Sequence, residues 1–212
     1  MTRRASARIT ARLPTTRAGN PVSRATDFIV KIKPYAEATE RIYGIPAAFL
    51  IAQAGIESAW GSDPLAKVNN LFGVKAYSNW TGKTITLTAD GQAAVKFRWY
   101  DSLQNCFNEQ GRLLTSARYA PALAWKNHLW HYANAVQKAG HCPNTGYADL
   151  IVDIVSDFNL LPDWKVEFEK AKGRGEKSGL LKPSTPDDYT IPLTAERLAV
   201  FLCRFADKGG KI

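Results

Sequence analysis

The run PAAFLIAQAGIESAWG, residues 46–61, decides the architecture. Rich in Ala, Leu and Ile, it reads as a helix from Pro46 to about Ser58. Gly44 ends the helix before it, and Pro46 suits the first turn, where a missing N–H costs nothing. Glu57 stands near the C-terminus of this helix, three residues after Ala54 and seven after Leu50, on a face shared with apolar residues.

Working outward, the preceding helix runs from about Asp27 to Tyr43, with Thr26 or Asp27 as its cap. Downstream the character changes. Thr84 to Thr88, then Asp90-Gly91, then Ala94 to Phe97 read as a β-hairpin. Helical patterns return at about 102–116, 121–138 and 146–159. After Pro162 the composition shifts: Lys170 to Lys182 is full of Lys, Gly and Glu, and Pro183, Pro186 and Pro192 follow, so the run reads as a linker. A last amphipathic helix is capped by Thr194 and carries Leu198, Phe201, Leu202 and Phe205 on one stripe. The expected fold is α+β, mainly helical with a small antiparallel hairpin. The expected organisation is a basic flexible leader at 1–25, a catalytic domain at 26–165, and a linker with the terminal helix at 166–212.

The 212 residues, 45% hydrophobic, suffice for one substantial core without staples. No stretch of about 18 apolar residues exists, so no transmembrane helix is expected. The net charge of +9 is uneven, because Arg3, Arg4, Arg8, Arg12, Arg17 and Arg24 precede any acid. Charge confined to a leader, with no recognised binding motif, argues against a nucleic-acid binder. The leader also lacks the apolar segment of a secretory signal. Cys106, Cys142 and Cys203 show no metal-ligand spacing, and neither metal nor cofactor is expected. One pair can form a disulfide in an oxidising compartment, or all three are small buried residues.

The chemistry centres on Glu57. Apolar neighbours and the negative end of the helix dipole both push a carboxyl pKa upward, as a general acid near neutral pH requires. The plain alternative is a surface carboxylate that caps or salt-bridges. Trp60, one turn away, can help exclude water. Asn70, Phe72, Trp80 and Tyr100 supply amides and aromatic faces, the groups that line sugar-binding clefts.

The ordered series IESAWG, NNLFGVKA, WTG, FRWYDS, RY and AG-x5-YADL, spread over about residues 28–160, resembles the glucosaminidase family of flagellar and autolysin-type peptidoglycan hydrolases, glycoside hydrolase family 73. The resemblance implies a lysozyme-like cleft between a helical and a β lobe. It also implies endo-β-N-acetylglucosaminidase cleavage of the wall glycan, with Glu57 as the general acid. Two departures stand out. The family's second acidic residue, expected before the hairpin turn, has no counterpart; Asp90 is the nearest candidate, and turn formation suits it better. In the late loop His141 stands where the family carries a tyrosine, and an imidazole can likewise hydrogen-bond a sugar or a water. Tyr147 matches a later family tyrosine. The rival readings are a lytic transglycosylase or muramidase and a non-catalytic wall-binding module. The expected partner is the peptidoglycan strand. As an unsignalled effector or endolysin, made in the cytoplasm and acting in the periplasm or wall of a target cell, the protein would also meet a cognate immunity protein in its cleft.

Overall fold

The structure is a computed structural model that describes residues 21–88, 93–143, 145–179 and 181. Helix α1 (Pro21–Tyr43) ends at Gly44, whose φ of +70° costs a glycine little and whose N–H bonds back to Glu40 O at 2.8 Å. Helix α2 (Ala47–Glu57) follows after one tight bend. Every residue from Ala48 to Gly55 is buried, so this helix is the axis of the core and packs against α1 and, from the other side, α5 (Tyr147–Asp157). Phe49, Leu50 and Ile51 are each almost wholly enclosed, which is worth about 1.5–3 kcal/mol per side chain.

Past Glu57 the chain turns sharply. Ala59, Trp60 and Gly61 all have positive φ, and Ser58 braces them by donating to Ala54 O (2.6 Å) and accepting from Gly61 N (3.0 Å). Left-handed backbone at two consecutive non-glycine residues persists only where the surroundings dictate it. Here Trp60 folds back onto Gly55, where a Cβ would lie 2.6 Å from its ring.

A 3₁₀ turn, Pro64–Val68, capped by Asp63, leads to the β lobe. Strands β1 (Thr84–Leu87) and β2 (Val95–Arg98) pair antiparallel, with Ile85 opposite Phe97 and Leu87 opposite Val95. That shared face packs on Leu65 and Val68, forming a second small core apart from the helical one. Helix α3 (Leu103–Leu114), whose first turn is capped by Ser102, returns the chain to the helical lobe; a 3₁₀ helix (Ala120–Trp125) and α4 (Leu129–Lys138) follow.

The mainly helical α+β fold with a small hairpin is as the sequence reads, but three boundaries differ. Helix α1 begins at Pro21 and takes up the end of the expected leader. The helix expected at 121–138 is interrupted between Trp125 and Leu129. Above all, residues expected to be linker form helix α6 (Asp163–Lys177). Its Lys-, Gly- and Glu-rich composition looks solvated, yet Glu169 and Lys172 are only 1% exposed and pair with each other at 2.5 Å. Gly173 allows the close approach, because a Cβ there would lie 2.6 Å from Trp130 Nε1. The expected leader before Pro21, Asp90 with the hairpin turn, and the helix at 194–205 with Cys203 lie outside the described residues. Among the described residues, no helix is long and apolar enough to cross a membrane.

Candidate active site

Glu57 is the last residue of α2, its side chain 11% exposed, and its Oε1 lies 3.4 Å from His141 Nε2. A carboxyl at the end of a buried helix is thus largely withdrawn from water, with a small part of its surface still exposed. One turn earlier sits Gln53, fully buried, on the same helix face. Its Nε2 lies 2.8 Å from His141 Nε2 and donates to the Tyr147 hydroxyl at 3.2 Å. Its Oε1 accepts from Gln110 Nε2 on α3 at 2.8 Å. Burial, and then the charge of Glu57, push the Tyr147 phenol well above its ordinary range, so it stays a neutral O–H.

The loop carrying His141 is itself held. Gly140 is left-handed, with φ +88°, and leaves room for the Arg118 guanidinium, whose Nε donates to Ala139 O. Tyr119 stands edge-on to the His141 ring, with centroids 6.5 Å apart. Three helices and one braced loop thus converge on Glu57. Cys142, next in the loop, and Cys106 on α3 are both buried; burial pushes the Cys106 thiol up to about 12, so it is inert as a nucleophile near neutral pH. Among the described residues, no three His, Cys, Asp or Glu side chains gather to hold a metal.

The other expected ligand contacts are placed differently. Trp60 packs on Gly55, edge-on to Phe28 (6.1 Å) and against Phe158 (4.9 Å), and so joins α1, α2 and α5. Asn70 is buried with its amide fully engaged: it donates to Val74 O (2.9 Å) and Arg98 O (2.7 Å) and accepts from Val74 N (2.9 Å). Phe72 is buried edge-on to Phe107. Tyr100 is buried, its phenol pushed upward by that burial, and Trp80 meets it edge-on at 5.8 Å. Trp80 also donates from Nε1 to Lys83 O and lies beneath the Arg98 guanidinium, 4.6 Å away. Trp60 and Phe72 thus belong to the main core, while Asn70 fastens the loop before the hairpin to β2. Of the expected set, the structure brings together Glu57, His141 and Tyr147.

Gln53 and Gln110 escaped the sequence reading. The available signal was a lone amide within the apolar run of α2, one turn before the glutamate.

The glucosaminidase family model, described as mannosyl-glycoprotein endo-beta-N-acetylglucosaminidase, matches residues 33–160. This chain belongs to the glucosaminidase family. Peptidoglycan hydrolase FlgJ of Vibrio cholerae is 31% identical over 150 residues, covering 65% of this chain and 45% of FlgJ. Exo-glucosaminidase LytG of Bacillus subtilis is 31% identical over 190 residues, covering 79% of this chain and 66% of LytG. The chain therefore spans less than half the length of the Vibrio relative. Among solved structures, the peptidoglycan hydrolase of Sphingomonas sp. A1 superposes with a TM-score of 0.55 at 30% identity, over 69% of this chain and 93% of that one. The glycoside hydrolase domain of Salmonella typhimurium FlgJ gives 0.55 at 26% identity, over 72% and 98%. The glucosaminidase fold is thus the lysozyme-like one, and α6 lies beyond the family-matched residues.

Proposed function

We propose that this glucosaminidase-family chain is an endo-acting hydrolase of the peptidoglycan strand, cleaving after N-acetylglucosamine with Glu57 as the general acid. The observation that carries the reading is the Glu57 carboxyl, withdrawn at the end of a buried helix and faced by His141. Its proton passes to the glycosidic oxygen as the C1–O bond breaks, and water completes the hydrolysis. The names of the Vibrio, Sphingomonas and Salmonella relatives support peptidoglycan as the substrate. The role of effector or endolysin is the finer part of the proposal; it requires that periplasm-directed expression lyse the host while cytoplasmic expression does not.

The test is Glu57→Gln, an isostere without a proton to donate. Loss of lysis of purified peptidoglycan by about 10²-fold or more is expected, that being the ordinary contribution of a general acid. Circular dichroism should show an intact fold. Wild-type fragments should carry N-acetylglucosamine at a new reducing end, read by mass spectrometry. Anhydro ends would mark a transglycosylase instead, and more than about a tenth of wild-type rate in the variant would displace Glu57.

A further inference from the structure

A cavity of about 250 Å³ lies between the loop before β1, the residues after β2 and the outer face of α3. It is smaller than the roughly 300–1,000 Å³ of sites for drug-sized ligands, so it suits a single ring. Trp99 forms one wall and is 41% exposed, more than any other tryptophan among the described residues. Trp80 forms another, and one carbonyl ties the two together: Lys83 O accepts from the Trp80 indole Nε1 at 3.0 Å and from Trp99 N at 2.9 Å. Tyr100 N then donates to Val68 O at 3.0 Å, so the backbone that presents the Trp99 indole is fixed at both residues. On α3, Asn105 and Asn108 stand one turn apart and line the opposite wall. The Asn105 amide makes no bond among the described residues, and Gln104 engages only one end of the Asn108 amide, at 2.9 Å. The charges around the rim are spent on one another: Lys83 pairs with Asp101 at 2.9 Å, and Arg98 and Arg112 both meet Glu109.

We propose that this cavity is a second sugar-binding site, which takes one neutral N-acetylated pyranose ring of the wall glycan. What is left unsatisfied there is an indole face and two amides. The face suits the C–H side of a pyranose, and the amides suit its hydroxyl and acetamido groups. A charged ligand gains little, because each cation at the rim already has its acid. The site stands apart from Glu57. Gln110, which joins Gln53, is buried on the inner face of α3, whereas Asn105, Asn108 and Arg112 lie on the opposite face. A ring held there while another part of the wall sits at Glu57 gives two contacts with one polymer, which raises the effective concentration of the strand to be cut. The choice of N-acetylglucosamine as the ring rests on the wall-glycan reading of this family member, whereas the binding itself needs no catalysis.

The test is an NMR titration of the full chain with N-acetylglucosamine, which offers no glycosidic bond to cut. The chain has six tryptophans, and the indole N–H signal of Trp99 is the one lost in Trp99→Phe. In wild type that signal should shift and approach saturation by about 100 mM sugar, as for a dissociation constant on the order of millimolar. Asn105→Ala, a change on an exposed helix face, should weaken the same titration about fivefold. On insoluble peptidoglycan, Trp99→Ala should raise KM about threefold or more with kcat within about twofold. That rise should vanish on soluble glycan fragments too short to span both sites. If Trp99→Ala fails to fold, Asn105→Ala replaces it in the kinetic comparison. A Trp99 signal unmoved by the sugar overturns the proposal, as does an unchanged titration in Asn105→Ala, or a wild-type KM on insoluble peptidoglycan in whichever variant folds. A stem tripeptide of the wall that moves the Trp99 signal where the sugar does not would make this a peptide site, and overturns it equally. Because the titration needs no turnover, a protein inactive on peptidoglycan would defeat the functional reading and leave the sugar site standing; an active protein with an unmoved Trp99 would do the reverse.

Discussion

His141 reaches Glu57 from a loop that Arg118 and Gly140 hold in place, so its ring is presented at a set distance from the carboxyl. What that position needs is a polar group of aromatic size that hydrogen-bonds Gln53 and fills the space against Tyr119 and Tyr147. A tyrosine meets part of this requirement and an alanine none of it. His141→Tyr should therefore keep a sizeable share of wild-type activity. His141→Ala should lose about tenfold or more beyond that, since the polar group facing Glu57 is removed and the buried Gln53 amide keeps only Tyr147 on that side. Turbidity loss of peptidoglycan for the three proteins measures it; equal rates would make His141 a bystander. Glu57 was legible in the sequence because a carboxyl closing an apolar helix is locally odd. The Gln53–His141 contact was not, because it joins residues 88 positions apart, and helical periodicity says nothing about which loop returns to a helix end.

Between elements, Asn70 does the work of a staple. Its amide holds Val74 to Asn70 and both to Arg98, so the loop after the 3₁₀ turn is fastened to β2. Asn70→Ala should destabilise the protein by about 2–3 kcal/mol, since it leaves partly buried backbone groups unbonded. Thermal unfolding would show this as a fall of roughly 5–10 °C, with KM nearly unchanged in the surviving enzyme. A raised KM at unchanged stability would return Asn70 to the cleft. Helix α2, the hairpin and α3 could be read from their patterns and caps. The roles of Asn70, Phe72 and Tyr100 could not, because amides and aromatics that suit a sugar also suit a tight loop over a core. Composition misled again at α6: its buried face holds Glu169 and Lys172, whose mutual pairing replaces the apolar stripe by which a packed helix is recognised.

Over the whole molecule, α6 extends the family domain and is held to it through charge. Lys172 joins Glu169 and lies 2.8 Å from His128 Nδ1; Glu169 accepts from Trp130 N at 3.0 Å; Glu176 meets His131, whose ring stacks on Trp125 at 4.6 Å. Burial lowers both His128 and His131 below the ordinary 6.5, with the Lys172 charge adding to the effect at His128 while Glu176 opposes it at His131. Lys172 is lowered too, from the ordinary 10.5, again by burial first. The sign then follows. The folded protein keeps both imidazoles neutral at a pH where the unfolded chain has begun to protonate them. Stability from these groups is therefore full above about 6.5 and declines as the pH falls below it. Protonating His128 would also set a cation beside the Lys172 ammonium. The midpoint of thermal unfolding should drop by roughly 3–8 °C between pH 7.5 and 5.5, and the drop should shrink in a His128→Gln, His131→Gln double variant, whose amides do not titrate. Scans at fixed ionic strength would separate this from general charge repulsion. A double variant with the same pH slope as wild type would show that the acid sensitivity arises elsewhere, and that the α6 junction is not its source.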